Sequence, residues 1–155
     1  MTQVKIPRVI LAAFKRRVLE HMGERPPTRI IENAAGEPYL NRWELLGNHP
    51  IFDIYLHQFL KSDDTQALHD HPGVSVAIVL SGKYTEWFQA NRCKLRTEGD
   101  VILRRATTAH RIAIDEGETQ PVTVFLRGPK LREWGFHCAS GWRHHRDFRA
   151  RGCEP

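Results

Sequence analysis

Three histidines in this chain stand at spacings that suit a metal site. His69 and His71 are separated by one residue at the start of an apolar run, and His110 begins a later run. Alternate side chains of a strand share a face, so His69 and His71 would lie about 6.6 Å apart along it and could converge on one ion. By chance alone, about 0.5 such pairs are expected among nine histidines in 155 residues. The pair therefore needs further support.

The segments around these histidines have the character of β-strands. After Pro27, short runs rich in β-branched and aromatic residues alternate with stretches that contain the Gly, Pro, Asn and Asp that turns require. Eight strands separated by turns, with no helical pattern between them, predict a β-sandwich or barrel rather than a parallel α/β sheet. The predicted strands are residues 29–33, 39–46, 52–62, 74–89, 93–105, 110–116, 121–128 and 132–138.

A single amphipathic helix is predicted ahead of the strands, over residues 8–22, and the sequence "GERPP" ends it. Apolar residues recur there at three- and four-residue spacing, which lines one helix face. These residues are Ile10, Leu11, Phe14, Val18 and Met22. A length of 155 residues suits one domain. We divide the chain into a helical segment (1–26), a β-barrel (27–142) and a basic tail (143–155) that we expect to be solvated or disordered.

Charge and cysteine content narrow the class of protein. Part of the formal net charge of +5 comes from four arginines within the tail, so it does not by itself indicate nucleic acid. The three cysteines, Cys93, Cys138 and Cys153, form no CxxC pair. This pattern indicates neither a disulfide framework nor a zinc finger, and Cys138 is predicted to be a small buried apolar residue. The cysteine pattern fits a reducing compartment, and no apolar span reaches eighteen residues, so we expect a cytoplasmic protein with no membrane partner.

The spacing around the histidines supplies the missing support. His69-x-His71 is followed by three residues, Ser75, six residues and Gly82, and His110 stands eleven residues after Gly99. These spacings resemble the two motifs of the cupin superfamily: HxH, three or four residues, Glu, six residues and Gly, then Gly and a His eleven residues later. The resemblance covers roughly residues 50–135. It implies a single jelly-roll barrel, the double-stranded β-helix, here with an added N-terminal helix.

The resemblance also implies a ligand set and a chemistry. His69, His71 and His110 match the metal ligands, which implies one divalent transition metal, Fe(II) or Zn(II). Ser75, or Val76 at the longer spacing, replaces the acidic ligand, so the ligand set is uncharged and the centre is more electrophilic. Within the superfamily, thiol dioxygenases also use three histidines, which implies oxygen-dependent chemistry on a small anionic substrate. The alternative is that the histidines are ordinary polar residues in a metal-free scaffold.

The second motif departs from the superfamily pattern as well. Arg105 and Thr107 replace its proline and glycine, and Ile114 replaces its terminal asparagine. The sequence "REWGF" with a later "GW", together with "HDHP", is similar to small cupin-like proteins of bacteria and phages whose function is unassigned. That likeness supports the fold and gives no substrate.

Other polar residues are candidates for contact with a substrate. Strand alternation places Tyr55 and His57 on one face, where they could look into the barrel. Of Arg104 and Arg105, one should face inward, and we take Arg105 as a candidate clamp for a carboxylate or phosphate, with an exposed ion pair as the alternative.

Three further polar residues are not expected to be central to the site. Asp70 points away from its two histidine neighbours and is expected to be structural or exposed. Glu86 is expected to be exposed. His137 is a weaker candidate for the cavity.

Three classes of function follow. The first is a metal-dependent enzyme of the non-haem iron dioxygenase-like type, with His69, His71 and His110 as ligands, Tyr55, His57 and Arg105 as catalytic candidates and a small anionic substrate. The second is a cupin that binds or senses a small ligand without chemistry. The third is a protein that contacts nucleic acid through its tail, which lacks the aromatic platform of single-strand binders. We also expect a homodimer formed through edge strands.

Overall fold

The structure is a computed structural model that describes residues 4–32, 36–63, 67–115 and 117–153. Parts of the predicted helical segment, strands and tail, namely residues 1–3, Asn33, Glu116 and 154–155, lie outside the described residues. The helices are α1 (Arg8–Glu24) and α2 (His145–Arg151). The strands are β1 (Val4–Lys5), β2 (Arg29–Glu32), β3 (Pro38–Leu46), β4 (Asp53–Phe59), β5 (Leu68–His69), β6 (Ser75–Ser81), β7 (Lys83–Phe88), β8 (Cys93–Thr97), β9 (Asp100–Arg104), β10 (His110–Ala113), β11 (Val122–Arg127), β12 (Gly135–Cys138) and β13 (Gly141–His144).

The strands form two antiparallel sheets. The first has the order β1-β9-β6-β11-β4-β3-β2, and the second has the order β13-β12-β5-β10-β7-β8. The prediction of a mainly β chain with an N-terminal helix is confirmed. Within the described residues, no helix has the length and apolar character needed to cross a membrane.

Two predicted strands are each divided by a glycine. The run 74–89 breaks at Gly82, with β6 in the first sheet and β7 in the second, and the run 93–105 breaks in the same way at Gly99. Both glycines have positive φ, +74° and +89°, a conformation that other residues rarely adopt. A Cβ at Gly82 would also lie 2.9 Å from the Thr119 carbonyl oxygen. The motif glycines are therefore the points at which the chain changes sheet.

Two apolar cores lie on opposite faces of the first sheet. One core packs Leu11 and Val18 of α1 against the outer face of that sheet, on Trp43, Leu56 and Leu80. The other core fills the space between the sheets and contains Leu40, Phe59, Ala77, Val79, Tyr84, Ile102 and Ile112. The helix was predicted correctly, but two residues of its predicted apolar face, Ile10 and Phe14, are exposed because α1 contacts the sheet along a narrow line.

The C-terminal residues form regular structure. β13 pairs with β12 along its whole length, and α2 places Phe148 against Phe136 with ring centroids 3.7 Å apart. A disulfide joins Cys138 to Cys153. Of the two alternatives given for the tail, disorder is therefore wrong for residues 143–153, which form regular structure with exposed side chains such as Arg146 and Arg149. The expectation that Cys138 is unpaired is also wrong. The error arose because pairing of cysteines 15 residues apart depends on how the intervening hairpin folds.

Candidate metal centre

The structure brings the three predicted histidines together between the sheets. His69 ends β5, His110 opens the adjacent strand β10, and the two are direct cross-strand partners. His71 lies just beyond β5, where its backbone N–H donates to the Ala106 carbonyl. One ring nitrogen from each of the three lies within 4.8 Å of the others. Two sequence segments thus contribute nitrogen atoms to one small volume.

The arrangement of these nitrogens fits a metal ion. His71 Nε2 and His110 Nε2 are 2.8 Å apart, and two nitrogens bound to one ion at 2.0–2.1 Å are about 3 Å apart. Burial lowers the pKa of His71 well below its ordinary value and that of His110 to about 3. Both imidazoles are therefore neutral near pH 7, which is the form that binds a metal.

Glu86 holds His110 in place. Its Oε1 lies 2.8 Å from His110 Nδ1, and its side chain is fully buried. A carboxylate beside Nδ1 keeps the proton there and leaves Nε2 with a lone pair for a metal. Burial alone would raise the pKa of Glu86, but the contact with His110 and the charge of Arg104 hold it well below its usual range. The expectation that Glu86 is exposed is wrong.

Two arginines neutralise Glu86. Arg96 Nε donates to one carboxylate oxygen and Arg104 Nε to the other, each at 2.6 Å. Arg104 is the arginine of the Arg104–Arg105 pair that faces the interior, because it shares the face of β9 that carries the core residue Ile102. Arg105 follows the strand, and its side chain is exposed. The interior position predicted for Arg105 is therefore wrong.

Asp63 lies beside the first histidine. Its Oδ2 is 3.8 Å from His69 Nδ1 and accepts a hydrogen bond from the Ile112 amide at 2.6 Å. Burial raises the pKa of Asp63. His69 and His110 therefore each have a carboxyl group near Nδ1.

Ser75 occupies the position at which the cupin motif carries its acidic ligand. It lies on the same face of β6 as Ala77 and Val79, which belong to the core between the sheets. The side chain is buried, and its hydroxyl oxygen has no hydrogen-bond partner among the described residues. A buried hydroxyl without a partner is uncommon in folded proteins, which makes Ser75 a candidate contact for a bound ligand.

Tyr55 and His57 lie on the inner face of the opposite sheet, as predicted. Their rings stack with centroids 5.9 Å apart, and His57 also stacks on Phe125, whose centroid is 5.8 Å from that of His71. Arg42 Nε donates to His57 Nε2 at 3.0 Å. Burial, with a smaller contribution from Arg42, lowers the pKa of His57 well below its ordinary value. A catalytic role for Tyr55 and His57 stays a prediction.

Asp70 has a structural position. Its side chain is buried on the side of the chain away from the three histidines, where His137 Nε2 lies 3.2 Å from its Oδ2. Burial would raise the pKa of Asp70, but hydrogen bonds from Arg132 and the Gly135 amide lower it. His137 thus contacts Asp70, and the structure gives it no contact with the three-histidine group among the described residues.

A second group of potential ligands lies at the surface of the C-terminal segment. It contains Glu133, His144 and His145, whose ligand atoms also lie within 4.8 Å of one another. His144 Nδ1 accepts a hydrogen bond from the Arg146 amide, and its Nε2 lies 2.9 Å from Glu133 Oε2. Glu133 also forms an ion pair with Lys130.

Sequence reasoning missed Glu86 because a charged residue on a strand was assigned to the solvent face. Alternation in "KYTEWF" places Glu86 on the same face as Tyr84, and this signal was available. The contact of Glu86 with His110 could not be predicted in this way. It depends on the register between β7 and β10, which pairs Glu86 with Ile112 and so places Glu86 beside His110. The arginines that make burial of Glu86 tolerable come from two other strands.

Comparison with known proteins places the fold. No family model matches the chain, and no curated protein matches it. A protein of unknown function with a cupin-like fold from Ralstonia eutropha JMP134 is 13% identical, with a TM-score of 0.58 over 79% of this chain and 72% of that chain. The DMSP lyase DddQ of Ruegeria pomeroyi DSS-3 is 13% identical, with a TM-score of 0.57 over 86% and 81%. Hydroxypropylphosphonic acid epoxidase of S. wedmorenis is 15% identical, with a TM-score of 0.52 over 64% and 54%.

These similarities define the class of the protein. The chain has the cupin-like, double-stranded β-helix fold, as the motif spacing predicted. Proteins with this fold include enzymes, and this one carries a three-histidine group that could hold a metal ion.

Proposed function

We propose that this chain is a metal-dependent enzyme of the non-haem iron dioxygenase-like type, with His69, His71 and His110 as the ligands of one Fe²⁺ or Zn²⁺ ion. The observation that carries the proposal is the meeting of three imidazole nitrogens within 4.8 Å between the sheets, with Glu86 fixing the tautomer of His110. Bound there, a divalent ion would supply a Lewis acid and, in the case of iron, a one-electron redox centre.

The chain's own residues set the charge of this centre. Three neutral imidazoles contribute none, and Arg96 and Arg104 together exceed the charge of Glu86 by one positive charge. The positive charge of an ion would therefore be left to attract an anionic substrate. The charge of the centre therefore supports a small anionic substrate. Arg105 is exposed and is not part of this proposal as a clamp for that substrate.

Residues of the opposite sheet supply hydrogen bonds to the substrate. Since Arg42 donates to His57 Nε2, the neutral His57 carries its proton on Nδ1 and is a donor through that atom. The buried hydroxyl of Ser75 can donate or accept. In this proposal His57 and Ser75 orient the substrate, and Tyr55 and Phe125 keep water from that side.

The similar enzymes support catalysis on this fold. One acts as a DMSP lyase and another as an epoxidase of hydroxypropylphosphonic acid. They differ in chemistry, so the oxygen-dependent reaction proposed here depends on the uncharged ligand set.

The first test is metal content. Protein made without a histidine tag, in medium supplied with iron and zinc, should contain close to one Fe or Zn per chain by elemental analysis. Replacement of His69, His71 and His110 by alanine should abolish this metal. A control variant with His21, His49 and His144 replaced should retain it. Absence of metal from the wild-type protein would remove the proposed centre.

The second test is turnover. The Fe²⁺ form should consume oxygen with a small thiol or carboxylate from a broad panel, followed with an oxygen electrode, and the triple-alanine variant should not. Metal binding together with ligand-dependent thermal stabilisation, but no oxygen consumption, would instead favour the small-ligand-binding class. The predicted cytoplasmic location, homodimer and contact of the C-terminal residues with nucleic acid stay predictions.

A further inference from the structure

Asp70 is a buried carboxylate placed between two of the three histidines. Its side chain is 1% exposed, and four groups lie within hydrogen-bonding or ion-pair distance of it. The Gly135 amide donates to Oδ1 at 2.8 Å. Around Oδ2 are Trp142 Nε1 at 3.0 Å, an Arg132 guanidinium nitrogen at 2.8 Å and His137 Nε2 at 3.2 Å. A buried charge of this kind is stable only while its partners stay in place.

All four groups belong to residues 132–142, around the β12–β13 hairpin. The backbone adds to this attachment, because the Asp70 amide donates to the Gly135 carbonyl at 3.0 Å and His69 pairs with Phe136. On the other side, the His71 amide is bonded to Ala106, four residues before His110. The segment His69–His71 is therefore held between the hairpin and the segment that leads to His110.

The hairpin is shaped for this contact. A Cβ at Gly135 would lie 2.0 Å from the Arg143 carbonyl oxygen, so only glycine lets the two strands approach this closely. The pairing of His137 with Trp142 then presents both side chains to Asp70.

Strand alternation connects Asp70 to the ligands. Asp70 points to the face opposite His69 and His71, so its anchoring fixes the rotation of the segment about its own axis. A change of that rotation would move both imidazoles relative to His110. Substitution of the outer groups that orient metal ligands typically weakens metal binding by about 10- to 100-fold.

We propose that Asp70 is a positioning residue of the three-histidine centre, and that the β12–β13 hairpin acts through it to aim His69 and His71. The inference depends on the proposed function, since it concerns how these histidines hold an ion.

The experiment uses Co²⁺, whose visible absorption spectrum reports the coordination geometry. Wild-type protein should bind one Co²⁺ in a manner that requires the three histidines. Asp70→Asn should bind Co²⁺ about tenfold more weakly and with an altered spectrum. Asp100→Asn is the matched control, because Asp100 is also fully buried and accepts from the Thr97 amide at 2.9 Å, at the β8–β9 turn. It should leave affinity and spectrum unchanged.

A second pair of variants tests transmission from the hairpin without removing the buried charge. Trp142→Phe deletes one donor to Asp70 and should weaken Co²⁺ binding about threefold and shift the spectrum. Trp43→Phe deletes an indole donor to the Arg25 carbonyl, against α1, and should change neither. If Asp70→Asn does not fold, this pair decides the question.

The outcomes separate the two proposals. Wild-type protein that binds no Co²⁺ through its three histidines would overturn the proposed centre and this inference with it. Wild-type binding together with unchanged affinity and spectrum in folded Asp70→Asn, or in Trp142→Phe where Asp70→Asn does not fold, would overturn the role of Asp70 alone.

Discussion

Two groups of side chains in this protein could ligate a metal ion, and they have similar chemistry and different surroundings. His69, His71 and His110 meet between the two sheets, whereas Glu133, His144 and His145 meet at the surface. In each group the ligand atoms lie within 4.8 Å of one another. Distance and residue type therefore do not distinguish them.

The two groups differ in the protein groups that contact their histidine rings. His110 has its Nδ1 beside a buried carboxylate, so its Nε2 lone pair points toward the other histidines. His144 Nδ1 accepts from the Arg146 amide, so the proton of a neutral His144 lies on Nε2, beside Glu133, and neither nitrogen keeps a lone pair for a metal. His145 stacks on Trp134 with centroids 4.5 Å apart. Because outer contacts orient metal ligands, we expect the interior group to bind a metal ion more tightly than the surface group.

The largest expected effect concerns the carboxylates of the two groups. Glu86→Gln should lower the free energy of unfolding by about 3–5 kcal/mol, because it leaves two buried arginines without their counter-charge. It should also weaken metal binding by about 10–100-fold. Glu133→Gln, at an exposed carboxylate, should leave the free energy of unfolding nearly unchanged. Urea unfolding and metal titration measure both, and equal effects of the two substitutions would contradict the distinction.

Loss of the Cys138–Cys153 disulfide, which ties down the segment that carries the surface group, should have the next largest effect on stability. Cys153→Ser opens a loop with a sequence separation of 15 residues, which should lower the free energy of unfolding by about 3 kcal/mol. Cys93→Ser is the control, since Cys93 is an exposed free cysteine. Thermal unfolding without reductant measures the difference. Loss of the difference when reductant is added to all three proteins would identify the disulfide as its source.

Alanine substitution of one histidine in each group tests which group binds the metal ion. His110→Ala should weaken Zn²⁺ binding by about 100-fold or more, which is about 2.7 kcal/mol. His144→Ala should leave Zn²⁺ affinity within about twofold, because its ring nitrogens are already engaged by protein groups. Isothermal titration with Zn²⁺ measures both. A stronger effect of His144→Ala would place the metal at the surface group.

The smallest expected effect is a pH dependence of stability. It comes from His57, which lies in the interior near the three-histidine group. Burial keeps the pKa of His57 well below 6.5 in the folded protein, whereas the unfolded chain has a pKa near 6.5. Below pH 6.5 the unfolded chain therefore binds a proton that folded His57 does not. The stability contribution is fully present above that pH and is lost as pH falls.

His57→Gln should remove this dependence. Gln retains an acceptor for Arg42, and the slope of unfolding free energy between about pH 6.5 and 5 should fall by up to about 1.4 kcal/mol per pH unit. Denaturant unfolding at a series of pH values measures the slope, with pH 8 as the reference at which His57 is neutral in both states. Identical slopes for the two proteins would show that His57 has the same pKa in the folded and unfolded states, which would contradict the effect of burial.

The fold and the three histidines could be predicted from the sequence because both depend on local requirements. Gly82 and Gly99 need positive φ and mark the changes of sheet, and the one-residue spacing of His69 and His71 puts both on one strand face. Such requirements belong to single positions and short spacings. They are therefore written in the sequence itself.

The tertiary structure decided which charges are buried. Glu86 became an interior group because the register places it beside His110 and because β8 and β9 each supply an arginine. Arg104 rather than Arg105 faces inward because it shares the face of β9 that packs Ile102 into the core between the sheets. Asp70 and the Cys138–Cys153 disulfide depend on a hairpin that returns to strand β5 from more than sixty residues away along the chain. Burial of a charge is stable only when partners arrive from other strands, and the positions of those partners are set by packing.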